Sequence, residues 1–339
     1  MKVNTTAIAQ ALNISRSTVS KALNNRPEVR DETKEMVLNA AKKMGYKKLV
    51  DSANTPKKDI CLLIHEDEAS NNFWSMILRG AENYLSSNGF RIFFGVINGT
   101  EEKQGIIPAM LSTNNMPAGI IMIGSYRCEY YSSIRRLGLP VVATDMPADM
   151  KDNELLNDIV FMNGESSVYE ITKNLIDSGI SDIAFVGDIN WSRSIRERWN
   201  GYKLAILEND LKLNRDYDPF VYTERQDHFE DIAENLYRVG HFPKAFVCAN
   251  DVVALRLIGM LEEKGFRVPE DIVVTGFDNF TLDAVTPKNL TTVSYDISAI
   301  GYLAARQILW RVDNPDMPYM ITRINSKVIY ANNTKHQTK

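Results

Sequence analysis

Apolar residues at the start of the chain recur with helical spacing in two short segments that are separated by a tight break. The two apolar stripes are formed by Ile8, Ala9 and Leu12 and by Val19, Ala22 and Leu23. Thr5 or Thr6 is expected to cap the first helix and Ser15 the second, because their hydroxyls can accept from free amides. Asn13 is expected to take the left-handed conformation at the break. The pattern therefore predicts a helix-turn-helix.

A third helix and a linker are predicted to follow. Asp31 is expected to cap this helix and Gly45 to end it. Its stripe, at i, i+3, i+4 and i+7, consists of Val37, Ala40, Ala41 and Met44. Residues 47–58 are polar and basic and contain Pro56, which is typical of a linker between domains.

From residue 59 onward, short apolar runs alternate with helical patterns. The runs read DICLLIH, FRIFFGVI, AGIIMIG, PVVATD, DIAFVGD, AFVCAND and DIVVTGFD. Helices are predicted between them, among others at 73–88, around 102–114 and at about 194–210. Strands that are apolar on both faces and alternate with helices are typical of parallel sheets covered on both sides. Because the series occurs twice, we expect two similar α/β lobes.

The charge is divided unevenly between the two ends of the chain. Residues 1–58 carry 12 basic and 5 acidic side chains, a net charge of +7, whereas the whole chain carries −4. A basic segment joined to an acidic body indicates a module that binds a polyanion. The polar face of the second helix carries Arg16, Ser17, Ser20 and Lys21, which are donors of the kind that read base edges in the DNA major groove.

The remaining composition excludes several classes of protein. No apolar run reaches the ~18 residues of a membrane span, and no secretion signal is evident, so we expect a cytoplasmic protein. Cys61, Cys128 and Cys248 are too far apart for a disulfide framework or a metal site, and the four histidines lack ligand spacing. The chain has no nucleophile elbow, phosphate-binding glycine loop, HExxH or CxxC pair. We therefore expect neither an enzyme nor a bound cofactor or metal.

Several motifs together resemble the LacI/GalR family of bacterial transcription repressors. The resemblance is carried by IAQALNISRSTVSKALNN and ETKEMVLNAAKKMGY near the start, and by IRERWNGYKLAI, AFVCANDVVALRLIGMLEEKGFRVPEDIVVTGFDN and PKNLTTV in the body. It implies a DNA-binding head and a core of two Rossmann-like lobes, of the periplasmic-binding-protein type, joined by three crossover strands. The expected parts are a head at 1–46, a hinge at 47–58, a core at 59–332 and a tail at 333–339. Within the core we expect an N-lobe at about 59–158 and 293–320, a C-lobe at about 162–290 and 324–332, and crossovers near 158–163, 290–296 and 320–324.

The resemblance also implies the partners of the protein. The operator of such a repressor is a pseudo-palindromic DNA duplex, so a homodimer is expected, and the tail lacks the leucine heptad that makes some relatives tetramers. The effector is expected to be a small molecule in the cleft between the lobes, either a sugar or a sugar derivative such as a sugar phosphate. The residues expected to contact DNA are Arg16, Ser17, Thr18, Lys21, Asn24 and Arg26.

Six residues are expected to line the effector cleft, namely Phe73, Trp74, Trp191, Arg198, Asp251 and Asp278. Arg198, in the family's R-x-x-G-Y pattern, and Asp251, in its AND motif, match positions that hydrogen-bond sugar hydroxyls in relatives. Asp278 follows a strand at the edge where open α/β sheets bind ligands. The aromatic residues would form the apolar walls, although core packing is the alternative for each of them.

The sequence departs from the family pattern in two places. The linker is shorter than expected and offers only Leu49 and Val50 as large apolar residues, so it has no clear counterpart of the leucine that wedges into the operator. Met162 stands where relatives commonly carry Asp. A purine or a partner phosphoprotein therefore remains an alternative effector. A solute-binding protein is disfavoured by the basic head.

Overall fold

A computed structural model describes residues 4–23, 28–44, 46, 59–66, 72–111, 116–152, 157–220, 241–279 and 290–331. The chain divides into two compact units, residues 1–58 and residues 59–339. Each unit has its own buried core.

The first unit is a bundle of three short helices. They are α1 (Thr5–Leu12), α2 (Arg16–Leu23) and α3 (Asp31–Lys43). The apolar stripes meet in one core, in which Ile8, Val19 and Val37 are completely buried. The predicted helix-turn-helix is confirmed, and Asn13 ends α1 in the left-handed conformation with φ of 52°.

Two of the expected helix caps are wrong. The side chain of Asn4, rather than Thr5 or Thr6, accepts from the Ala7 amide at 2.9 Å, because Thr5 already has helical geometry. At the start of α3, the carbonyl of Arg30 accepts from the amides of Thr33 and Lys34, which places Asp31 in the first turn. Gly45 and the predicted linker lie outside the described residues.

The second unit is an α/β structure in which strands and helices alternate as predicted. Its elements are β1 (Asp59–His65), α4 (Asn72–Ser87), β2 (Arg91–Ile97), α5 (Gly99–Gln104), β3 (Gly119–Ile123), α6 (Cys128–Arg135), β4 (Val141–Ala143), β5 (Asp158–Met162), α7 (Glu165–Asp177), β6 (Ile183–Val186), α8 (Arg193–Glu208), β7 (Ala245–Cys248), α9 (Asp251–Glu263), β8 (Val273–Thr275), β9 (Thr292–Ser294), α10 (Ile297–Asp313), β10 (Ile321–Ile324) and β11 (Lys327–Ile329).

The strands of this unit form two lobes. The first lobe contains a six-stranded parallel sheet in the order β10-β5-β4-β3-β1-β2. The second contains the parallel strands β6-β7-β8 and the antiparallel pair β9-β11. Since the strands of each parallel sheet point the same way, their carboxyl ends share one edge, where side chains from distant parts of the sequence meet.

Helix α10 returns the chain from the second lobe to the first, where it packs closely against α4. The close approach depends on two glycines. A Cβ at Gly80 would lie 1.9 Å from the carbonyl oxygen of Ser298, and one at Gly301 would lie 1.8 Å from that of Ile77. No larger residue fits either position without moving a backbone.

The helix expected around 102–114 is much shorter in the structure. Asn98 and Glu101 form a capping box that starts α5 earlier, at Gly99. Gly105 then ends the helix in the left-handed conformation with φ of 65°. A separate 3₁₀ turn follows at Ala109–Leu111. The local capping residues therefore override the longer apolar pattern.

A buried ion pair holds β5, α10 and the segment before β10 together. The guanidinium of Arg311 donates to both carboxylate oxygens of Asp158, at 2.9 and 2.7 Å. Gln307 and the amide of Met320 donate to the same carboxylate. Arg311 also donates to the carbonyl oxygen of Pro318 at 2.9 Å. Two strands and a helix that are distant in sequence are thus tied at one point.

Within the described ranges, no helix is long and apolar enough to cross a membrane. Cys61 and Cys248 are buried in strands, as predicted, and Cys128 is partly exposed at the start of α6. The same ranges contain no group of three or more His, Cys, Asp or Glu side chains arranged to hold a metal ion.

Candidate functional site

Helix α2 presents a polar face to solvent. The hydroxyl of Ser15 accepts from the Thr18 amide at 2.9 Å and lies 2.8 Å from the Thr18 hydroxyl, so the side chain of Thr18 takes part in capping this helix. Arg16, Ser17 and Lys21 are exposed on the same helix. These three residues therefore carry hydrogen-bond donors on the exposed face of α2.

Arg16 is also linked to the neighbouring helix. Its Nε donates to the hydroxyl of Thr5 on α1 at 3.3 Å, and this bond does not use the terminal nitrogens of the guanidinium. A guanidinium held in this way can still approach guanine O6 and N7 with two donors. Asn24 and Arg26, which the sequence placed among the DNA contacts, lie outside the described residues.

In the second unit, Arg198 lies at the centre of a cluster at the carboxyl ends of the strands. Its guanidinium stacks on the ring of Phe277, 3.7 Å from the centroid, and donates to Asp278 at 3.3 Å. It also donates to the carbonyl oxygen of Ala249 and lies 3.7 Å from the sulfur of Met162. The structure thus brings Arg198 and Asp278 together, as the sequence suggested.

The Nε atom of Arg198 is buried and has no hydrogen-bond partner in the described part of the chain. The side chain is only 5% exposed, so water does not easily replace the missing acceptor. Buried guanidinium donors without an acceptor are uncommon in folded proteins, because desolvation of the N–H is then uncompensated. Within the described residues, the hydrogen bonds of this guanidinium come from its terminal nitrogens, which donate to Ala249 and Asp278.

Asp278 accepts a hydrogen bond from an aromatic residue and has an unusual backbone conformation. Tyr295 donates its hydroxyl to Asp278 Oδ1 at 2.8 Å. Burial, followed by the charge of Asp278, raises the pKa of Tyr295, so the phenol remains a donor. The φ angle of Asp278 is 101°, a region that non-glycine residues rarely adopt. Sequence reasoning missed Tyr295, which carries no motif of its own.

Asp251 is near this cluster but is directed differently. Its carboxylate accepts from the hydroxyl of Thr292 at 2.7 Å, and a Cβ at Gly276 would lie 2.0 Å from the same oxygen. The residue is 2% exposed at the start of α9. Asp251 therefore joins α9 to the start of β9 and to the backbone after β8.

The aromatic candidates approach one turn from two sides. Phe73 and Trp74 pack edge to face with centroids 4.9 Å apart, and a Cβ at Gly124 would lie 3.4 Å from the ring of Trp74. The next residue, Ser125, donates to the carbonyl oxygen of Trp191 at 3.4 Å. Trp74 of the first lobe and Trp191 of the second thus lie near the same strand end, after β3.

Asp145 is a candidate site residue that the sequence analysis did not single out. It follows β4 at the carboxyl edge, and its carboxylate accepts from the hydroxyl and the amide of Ser194 in the second lobe. Burial raises the pKa of Asp145, although the bonds from Ser194 and the Met146 amide and the charge of Arg198 act in the opposite direction. The rule that selected Asp278, an acidic residue directly after a strand, would have found it.

Comparison with known proteins agrees with this architecture. Residues 6–48 match the family described as bacterial regulatory proteins, lacI family, and residues 172–330 match the periplasmic binding protein-like domain. The chain is 26% identical to the HTH-type transcriptional repressor PurR of Pasteurella multocida over 97% of both chains. It is 25% identical to the probable HTH-type transcriptional repressor ExuR of Bacillus subtilis over 91% of both.

Solved structures show the same fold. A complex of the transcriptional regulator CelR with cellobiose superposes with a TM-score of 0.70 and 20% identity, over 97% of this chain and 99% of that one. The lac repressor dimer bound to its operator superposes with a TM-score of 0.66 and 19% identity, over 99% and 100%. Residues 6–48 thus carry the DNA-binding domain of the lacI family, and over nearly its whole length the chain is similar to DNA-binding transcriptional repressors rather than to enzymes.

Proposed function

We propose that the protein is a cytoplasmic repressor that binds a pseudo-palindromic operator as a homodimer and responds to a neutral, hydroxyl-rich small molecule. The effector would occupy the cleft between the two lobes, around Arg198 and Asp278. The observation that carries the effector site is the contact between Arg198 and Asp278 at the carboxyl ends of the strands, where a hydroxyl can donate to the carboxylate and accept from the guanidinium.

The charges around the cleft favour a neutral effector. The carboxylates of Asp145 and Asp278 both lie near the guanidinium of Arg198, so two negative charges face one positive charge there. A phosphate or a carboxylate would bring a further negative charge into a site that already has an excess of them. Hydroxyl groups, by contrast, can donate to the carboxylates and accept from Arg198. A sugar supplies both functions in one molecule.

The aromatic residues allow a second candidate. Trp74 and Trp191 offer flat apolar surfaces that suit the C–H face of a pyranose and also a purine base. The relatives include several repressors named PurR, so a purine is the alternative effector. Its ring nitrogens would accept from Arg198, whereas its amino groups would donate to Asp278.

The effector is tested by thermal shift with the full chain. A ligand at about 100 times its Kd stabilises the folded state by about 2.7 kcal/mol, which a melting curve resolves. The panel contains neutral sugars, sugar phosphates, uronates and purines. We expect a neutral sugar to raise the Tm, and Arg198→Met and Asp278→Asn to abolish the increase. Arg267→Met is the matched control, because Arg267 pairs with Asp271 on the exposed surface.

Two results would contradict the assignment of the cleft. A response confined to sugar phosphates or uronates would show that the carboxylates do not set the charge preference. An unchanged response in Arg198→Met would show that the effector binds elsewhere. A response to purines alone would keep the site and replace the sugar by the second candidate.

The DNA-binding function is tested separately from the effector. Duplexes are first selected from a random library with the full chain, and binding is then measured by fluorescence anisotropy at several salt concentrations. We expect the selected sequences to contain two inverted half-sites about one helical turn apart. Loss of the inverted repeat would contradict the homodimer, and salt-independent binding would contradict the role of the basic head.

An exposed apolar strand is the proposed contact between subunits. Phe94 and Val96 of β2, at the edge of the first-lobe sheet, are 49% and 51% exposed. An edge strand with two such side chains is expected to be covered by another chain. Phe94→Glu with Val96→Glu should weaken the dimer in sedimentation experiments. Leu207→Glu, at a position of 50% exposure on α8, should leave it intact.

A further inference from the structure

The two lobes touch each other directly through a loop and the start of a helix. The loop follows β4 in the first lobe and includes residues 145–152, and the helix is α8 of the second lobe. The amide of Arg193 donates to the carbonyl oxygen of Met146 at 2.9 Å, and Pro147 forms an antiparallel bridge with Ser192.

Arg193 adds an ion pair to this junction. Its guanidinium donates to Asp152 of the first-lobe loop and, at 3.1 Å, to Glu197 one turn further along α8. It also lies 3.6 Å from the sulfur of Met146. Glu197 in turn accepts from Arg323 of β10 at 2.9 Å. A continuous row of charges therefore runs from the first-lobe loop, through α8, to the strand that pairs with β5.

The solvent exposure of Arg193 and Asp152 is compatible with a contact that forms and breaks. The side chain of Arg193 is 16% exposed, whereas that of Asp152 is 61% exposed. Water can therefore reach one partner, so parting the lobes does not leave an unsolvated charge behind. An ion pair of this kind is worth at most a modest free energy and is weakened by salt, so it can adjust an equilibrium without locking it.

We propose that Arg193 is a latch between the lobes, which holds the core closed and sets how often the cleft opens. The link to effector control rests on the proposed function, since an effector enters and leaves only when the lobes part. The latch itself is a property of the core and needs neither effector nor DNA. Removing Arg193 or Asp152 should therefore increase the open fraction.

A thiol placed between the lobes measures this fraction. Ser125 is 4% exposed, and its hydroxyl donates to the carbonyl oxygen of Trp191 across the junction. We use the full chain with Ser125→Cys, and with Cys128→Ser to remove the partly exposed thiol. Cys61 and Cys248 lie within strands and are protected by burial. When reclosing is faster than labelling, the labelling rate is proportional to the open fraction.

We expect Arg193→Ala and Asp152→Asn each to increase the labelling rate about fivefold, which corresponds to the upper range for a partly exposed ion pair. The double variant should be no faster than either single variant, because both remove the same contact. Added salt should accelerate labelling in the background protein and have less effect in the variants. Arg196→Ala is the control, since Arg196 donates to Ile189 and Asn190 within its own lobe.

Three results would overturn the latch. They are an unchanged rate in Arg193→Ala, a rate in the double variant equal to the product of the two single effects, and labelling of the background protein as fast as that of an exposed thiol. Urea denaturation of each variant distinguishes opening of the cleft from global unfolding, which would also expose Cys61 and Cys248. Because the assay contains no effector and no DNA, its failure is separate from any failure of the proposed function.

Discussion

The buried ion pair between Asp158 and Arg311 gives a prediction whose magnitude follows from the structure. Asp158 is 0% exposed and Arg311 is 2% exposed. Asp158→Asn keeps the shape of the side chain but removes its charge and turns one acceptor into a donor that faces the guanidinium. Breaking a buried pair from one side costs about 3–5 kcal/mol, because the remaining charge is left uncompensated. At about 2–4 °C per kcal/mol, the core should melt about 10 °C lower.

The assay compares this change with the same change at the surface. Asp59 and Arg91 form an ion pair of the same two-bond geometry, at 2.7 and 2.9 Å, but their side chains are 26% and 61% exposed. Asp59→Asn should cost less than about 1 kcal/mol, because water screens an exposed pair. Circular dichroism during heating and urea titration of the full chain measure both variants.

The double variant Asp158→Asn/Arg311→Met completes the comparison. It removes the orphaned charge, so it should be more stable than Asp158→Asn alone. The reasoning is refuted if Asp158→Asn is no more destabilising than Asp59→Asn. It is also refuted if the double variant loses the sum of the two single effects, since that would mean that the two residues act independently.

Three further predictions concern the head, the helix packing and a thiol. Lys21→Ala should reduce the slope of log affinity against log salt concentration by about one per head, as expected for the loss of a phosphate contact. Arg16→Ala should weaken operator binding by about 1–3 kcal/mol and relax the sequence preference in competition binding. If Arg16→Ala weakens binding to every sequence equally, Arg16 does not contact a base. Gly301→Ala should lower the free energy of unfolding in urea by about 1–3 kcal/mol, because its Cβ would meet the backbone of α4. Gly259→Ala should raise the same free energy by up to about 1 kcal/mol, because a Cβ at this helical position has nothing within 4 Å. Burial and the charge of a nearby aspartate raise the pKa of Cys128 to about 11. The rate of its alkylation, measured by mass spectrometry, should therefore rise with pH up to about 11. A rate that reaches a plateau by pH 9 would contradict the raised pKa.

Local signals in the sequence were sufficient for most of the elements. The helix-turn-helix followed from two apolar stripes and from Asn13, which has the left-handed conformation at the break. The alternation of strands and helices followed from the length of the apolar runs. The exact ends of the helices did not follow from the apolar pattern, because a helix ends where capping residues are available. Asn98 and Gly105 limited α5 to six residues, where the apolar pattern suggested a longer helix.

The candidate site was only partly visible in the sequence. Arg198 and Asp278 were recognised from motifs, and the structure brings them into contact. The direction in which a side chain points could not be predicted from a motif. Nothing in the AND motif indicates that the Asp251 carboxylate faces Thr292, because that depends on how the start of α9 packs against the start of β9. Roles of these residues in effector binding stay predictions that the Arg198 and Asp278 variants test.

The sequence by itself determined the periodicity of the elements, the basic head, the acidic body and the resemblance to a known family. These properties depend on neighbouring residues or on local motifs, so they can be predicted without knowledge of the fold. Only the tertiary structure decided which charges meet. Arg193 and Asp152 are 41 positions apart, and Arg311 and Asp158 are 153 apart. Their pairing depends on the order of the strands and on the helices that cross between the lobes, and hydrophobic packing of the whole chain sets both.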